Sequence, residues 1–179
     1  MLERELSFTS RADRNFAIQT KIGRATAAGT RATVAVTMKL TARMAQSAIA
    51  SAMAEAAAIE VPMNIAILDA GGHLKSFMRM DGAVLGSIDI AMKKARTAVL
   101  FQTNSETVWE YCKPGAPAHG LELTNDVLIT FAGGIPIRAA DGEILGAIGV
   151  SGGAVPQDAR VAAAGAAAAS VSNPAEKQE

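Results

Sequence analysis

At five points in this chain an apolar run meets a glycine pair or an acid–glycine step: Gly71-Gly72, Asp81-Gly82, Gly133-Gly134, Asp141-Gly142 and Gly152-Gly153. Glycine there can take positive φ at a tight turn, and an Asp-Gly step is a strong two-residue hairpin signal. The runs between these points, MNIAILD, HLKSFMRM, DVLITFAG, GIPIRAA and EILGAIGVSG, are short and rich in β-branched and aliphatic residues, which predicts five strands. Tight turns join strands antiparallel, so the punctuation alone points to hairpins and away from a parallel sheet.

Helical periodicity fills the gaps. From Thr41, TARMAQSAIASAMAEAAAIE places a hydroxyl before the first turn and sets Met44, Ala48, Ala52 and Ala56 four apart, a helix with one stripe of small buried residues. In LGSIDIAMKKARTAVLF one face carries Ile88, Ala91, Met92, Ala95 and Val99, and another carries Lys93, Lys94 and Arg96, so a helix is predicted over 86–102. Thr103 and Glu106 have capping-box spacing ahead of SETVWEYCK, and Pro156 fits the first turn of a helix through QDARVAAAGAAAAS. Hairpins with helices segregated around them make an α+β sandwich, a five-stranded antiparallel sheet flanked by helices. Residues 1–40 read as an N-terminal extension, 41–170 as the domain and 171–179 as a polar tail.

Composition narrows the function. Seventeen basic residues balance seventeen acidic ones in 179, and no Lys/Arg run is interleaved with aromatics, so nucleic acid is not an expected partner. A single cysteine, Cys112, permits no internal disulfide and no Cys-rich metal cage. The charged opening MLERELSFTSRADR lacks the apolar segment of a signal peptide, and polar residues interrupt the apolar stretches, so the expectation is a cytoplasmic protein without a membrane span.

The order LDAGGHLKSFMRMDGA, KKARTA, FAGGIPI and GAIGVSGG resembles the GlcG/HbpS family over Thr41 to Ala169. The resemblance implies a profilin-like layered domain that assembles into homo-oligomers. Family members include haem-binding proteins, the C-terminal domain of PduO-type corrinoid enzymes and small proteins of catabolic pathways. Lys94 matches the family's recurrent lysine, and where the family often has a tyrosine this chain has His119 nearby.

Candidate site residues each carry a bland alternative. Gly152 and Gly153, in GVSGG before the last helix, offer backbone N–H groups that could grip a carboxylate, or they simply turn the chain. Lys94 either holds an acidic group of a ligand, pairs with Asp81, or sits on a solvated helix face. His73 follows its glycine turn directly and His119 lies in the irregular PGAPAHGLELTND; each is a proton carrier or a solvated loop residue. Asp81 is a candidate acid or only a turn residue. Trp109 and Tyr111 line a pocket or, as aromatics commonly do, pack in the core, and Cys112 reads as a buried thiol. No HxxxH or HExxH pattern supports a metal site.

These residues suggest two functions. In the first, by pathway analogy with hydroxylaminobenzoate lyases, the chain is a cofactor-independent lyase that converts a carboxylated aromatic substrate to a catechol acid and ammonia. His119 then supplies the acid, His73 or Asp81 delivers water, and Lys94 with the GVSGG loop clamps the carboxylate. In the second it binds or handles haem, with His73 or His119 as axial ligand. Strand alternation puts His73, Lys75, Phe77 and Arg79 on one face of HLKSFMRM. That face is expected to wall a small-molecule site completed by Lys94 and His119, unless it is an edge strand blunted by charge.

Overall fold

A computed structural model describes residues 39–171; the expected extension and polar tail fall almost wholly outside this range. The order is α1 (Ala42–Ala58), β1 (Asn64–Asp69), β2 (Leu74–Arg79), α2 (Ser87–Phe101), α3 (Ser105–Cys112), a 3-10 turn (Leu121–Leu123), β3 (Gly134–Arg138), β4 (Ile144–Ser151) and α4 (Val155–Val171). Thr41 caps α1 as expected, its hydroxyl accepting from the Met44 N–H at 3.2 Å. Pro156 sits in the first turn of α4, where its missing N–H costs nothing. The Thr103 capping box does not form: Asn104 precedes α3, and its side-chain amide donates to Glu106 Oε1 at 3.2 Å.

The sheet is antiparallel with strand order β2-β1-β4-β3. It has four strands, one fewer than the sequence predicts, because DVLITFAG does not join it. Asn125, Asp126 and Val127 all have positive φ (54°, 60° and 67°), which turns the chain away from an extended path. The residues that follow are held elsewhere: Leu128 N–H donates to the Glu122 carbonyl at 2.8 Å, Ile129 N–H donates to Thr97 Oγ1 at 3.2 Å, and Phe131 C=O accepts from Ser105 Oγ at 2.7 Å, before Gly133 C=O meets β4 by accepting from Val150 N–H at 2.8 Å. These bonds to α2, α3 and the 3-10 turn take groups that a strand would have offered to a ladder.

The central strands β1 and β4 are covered on both faces, which explains their unbroken apolar sequence. Ile65, Ile67, Ile148 and Val150 pack against α1 and α4; Leu68 and Ala147 pack against Ala95, Ala98 and Val99 of α2. Gly149 permits the close approach of α2, since a Cβ there would lie 2.0 Å from the Ala91 carbonyl oxygen. The alanine stripe of α4 is spent inside the domain: Ala162, Ala166 and Ala169 are buried in the same cluster as Ala45, Ala48 and Ala52 of α1.

Candidate functional site

The buried residues of α2 include Ala91, Lys94, Ala95 and Ala98, so a cation from the edge of the apolar face is enclosed with the residues that pack on the sheet. The Lys94 side chain is wholly buried. Its Nζ donates to Asp158 Oδ2 at 2.6 Å and to the Val150 carbonyl at 3.0 Å, and lies 4.7 Å from the centre of the Phe131 ring. Asp158, in the first turn of α4, is equally enclosed, and its Oδ1 accepts from the Gly153 N–H at 3.0 Å. Lys94 therefore reaches past the end of β4 and ties α2 to α4.

The FAGG sequence makes room for this bridge. A Cβ on Gly133, whose φ is +116°, would lie 2.8 Å from Lys94 Nζ and 2.7 Å from the Val150 oxygen; one on Gly134 would lie 2.2 Å from the Lys94 carbonyl oxygen. Ser105 fixes the same corner, its Oγ donating to Phe131 C=O and accepting from the Gly134 N–H at 3.0 Å. Burial pulls the Lys94 ammonium below the ordinary lysine pKa, opposed by its hydrogen bond and charge attraction to Asp158 and by the charge of Glu106. One Glu106 oxygen, Oε2, is buried without a hydrogen-bond partner.

This geometry alters the expected clamp. A carboxylate is indeed gripped by Lys94 and the glycine loop, but it belongs to Asp158. Lys94 pairs with Asp158 and not with Asp81, which is exposed in the turn after β2. Asp158, Phe131 and Ser105 are the participants that sequence reading missed. The only signal for Asp158 was indirect: a lysine enclosed at the edge of the apolar face requires a counter-charge, and an acid in the first turn of the last helix could supply it.

The other expected residues are dispersed. Register pairs Asn64 with Ser151 and with Arg79 at one end of the sheet, and Asp69 with Gly146 at the other. Asp81 and the Lys94–Asp158 bridge lie at the first end. His73 lies at the second, roughly 17 Å away by the rise of a six-residue strand. There Asp69 Oδ1 accepts from the Gly71 and His73 N–H groups at 2.9 and 3.0 Å, closing the turn, while the His73 imidazole is exposed. β2 is an edge strand with Lys75 and Arg79 exposed, as a charge-blunted edge requires. His73 and Lys94 thus do not share one wall.

His119 is exposed beyond α3, its Nδ1 3.1 Å from the Cys112 carbonyl oxygen. Trp109 and Tyr111 are not core residues, being 42% and 53% exposed, and Leu123 beyond them is 73% exposed. Cys112 is buried; enclosure, with a contribution from Glu122, raises its thiol pKa. Among the described residues no cluster of three or more His, Cys, Asp or Glu side chains could hold a metal ion, and no helix is long and apolar enough to cross a membrane.

The family model described as "Haem degrading protein HbpS-like" matches residues 40–167. The chain is 37% identical over 124 residues to an uncharacterised 15.0 kDa protein from the dhaT–dhaS intergenic region of Citrobacter freundii, covering 69% of this chain and 84% of that protein. It is 38% identical over 122 residues to the corrinoid adenosyltransferase PduO of the same organism, covering 68% of this chain but only 36% of PduO. Among solved structures, a PduOC–haem complex superposes with a TM-score of 0.69 at 34% identity, covering 73% of this chain and 95% of that one. These likenesses overturn the expectation of a hydroxylaminobenzoate-type lyase of aromatic catabolism: the family description, PduO and the PduOC complex are named for haem or corrinoid chemistry and not for an aromatic lyase.

Proposed function

The chain belongs to the HbpS-like family, and from that premise we propose that it is a haem-binding protein whose axial nitrogen comes from His119. The observation that carries this reading is the 3.1 Å contact between His119 Nδ1 and the Cys112 carbonyl. A carbonyl only accepts, so the contact makes Nδ1 the protonated nitrogen and leaves the Nε2 lone pair free. Metal-binding histidines are commonly oriented in this way, by donating the second ring N–H to a carbonyl or carboxylate. The exposed apolar side chains of Trp109 and Tyr111 on α3 and of Leu123 on the 3-10 turn, the two elements that flank His119 in the chain, suit a flat apolar macrocycle. When bound, haem supplies an iron whose behaviour depends on its axial ligand and the polarity around it. His73 fits this role less well, because among the described residues no hydrogen bond fixes its ring.

Titration with haemin, followed by visible absorption, tests the proposal. A saturable, stoichiometric Soret band is expected for the parent protein and for His73→Ala, and its loss for His119→Ala. If His119→Ala titrates like the parent, the assignment fails.

We also infer a homo-oligomer. The support is the number of large apolar side chains left in solvent, with Val84, Leu85 and Leu123 58%, 66% and 73% exposed. A stable monomer in sedimentation velocity at micromolar concentration would overturn it.

A further inference from the structure

We propose that a cleft at the hairpin end of the sheet binds a small zwitterion, a free α-amino acid with an aliphatic side chain. The cleft, of about 330 Å³, opens between the entry to α1, the β1–β2 turn and the start of β4. Leu40 and Leu145, 4% and 2% exposed, form an apolar floor, and Lys39, Lys75, Asp69 and Glu143 stand around it.

Two facts define what would bind. The turns have used their own backbone donors: Gly71 and His73 N–H groups go to Asp69 Oδ1, Glu143 N–H goes to Asp141 Oδ1 at 3.0 Å, and Ala139 N–H goes to Glu143 C=O at 2.9 Å. Polar recognition therefore falls to the four charged side chains, and among the described residues none of them is ion-paired with another. Two ammonium groups and two carboxylates among the lining residues leave no net charge to select a simple anion or cation. A molecule carrying both charges is matched at each pole, and an aliphatic chain between them covers the leucine floor. The volume lies at the low end of the ~300–1,000 Å³ typical of small-molecule sites, which favours a compact ligand over a macrocycle. The inference is independent of haem, since the cleft lining includes neither histidine.

Isothermal titration calorimetry of the full chain with L-leucine, isovalerate and isopentylamine tests it. Saturable heat is expected for leucine, with affinity at least about tenfold lower for each singly charged analogue, as loss of one charge-assisted contact implies. Lys75→Met and Glu143→Gln, both at exposed positions, should each weaken leucine binding by a similar factor, and His119→Ala should leave it unchanged. Absence of saturable leucine binding, equal binding of either analogue, or parent-like affinity in both cleft variants would overturn the proposal.

Discussion

The two ends of the sheet are built from the same kinds of residue and use them in opposite ways. At the hairpin end, Asp69 closes a two-glycine turn in contact with water, and Lys75 beyond it remains exposed. At the other, Asp158, two glycine pairs and Lys94 form a dehydrated bridge between helices on opposite faces of the sheet. A charged residue beside glycines has no fixed meaning. The difference lies in whether the surrounding helices bury it, because burial turns a dispensable contact into one that must be satisfied.

The sharpest way to break this contrast is to remove one carboxylate from each end. Asp158→Ala leaves Lys94 buried and unpaired and should cost about 3–5 kcal/mol in urea denaturation. Asp69→Ala frees two N–H groups that water can reach and should cost about 1 kcal/mol. The double replacement Lys94→Met with Asp158→Leu should recover most of the larger loss, because an apolar pair removes the need for compensation. Equal losses for the two single variants would show that the bridge is no more demanding than the turn.

A smaller effect separates the glycines. Gly134→Ala would push a methyl group to 2.2 Å from the Lys94 carbonyl oxygen, and thermal melting should show a loss of about 3 kcal/mol, the upper part of the overpacking range. Gly142, in the β3–β4 turn, has no atom within 4 Å of the added methyl and only its φ of +91° to accommodate, so Gly142→Ala should cost about 1 kcal/mol.

The smallest effect is a pH dependence. The native pKa of Lys94 is lowered by burial, so between that value and the unfolded lysine value of about 10.4 the unfolded chain holds more protons than the native one. Stability contributed by this residue should rise with pH across that window and level off above it. Urea midpoints measured from neutral pH to about pH 10 should show the rise in the parent and not in the Lys94→Met/Asp158→Leu variant.

Much of the fold was legible in the residues. Thr41, the α2 face, Pro156 and the Asp141-Gly142 turn each carry a local signal, and four of the five strand-like runs enter the sheet. DVLITFAG misled because its composition is that of a strand, while its fate is set by the Thr97 and Ser105 hydroxyls, which lie far away in sequence. The site was less legible for the same reason. Lys93 and Lys94 are adjacent and chemically identical, yet Lys93 pairs with Asp89 on the outside of the helix at 2.9 Å and Lys94 is enclosed. Periodicity places Lys94 near the boundary of the apolar face; only packing shows that α4 brings a carboxylate to it.

The bridge also has a kinetic meaning. Lys94 and Asp158 are 64 residues apart, and a lysine that sheds its water before its partner arrives faces a penalty nothing local can relieve. The final seating of α2 on the sheet should therefore wait for the first turn of α4. Such a requirement joins the two helical layers into a single cooperative event and disfavours species in which one layer has consolidated without the other. Interactions completed late in folding are those whose loss chiefly accelerates unfolding, so the bridge should govern how long the folded domain lasts more than how quickly it forms.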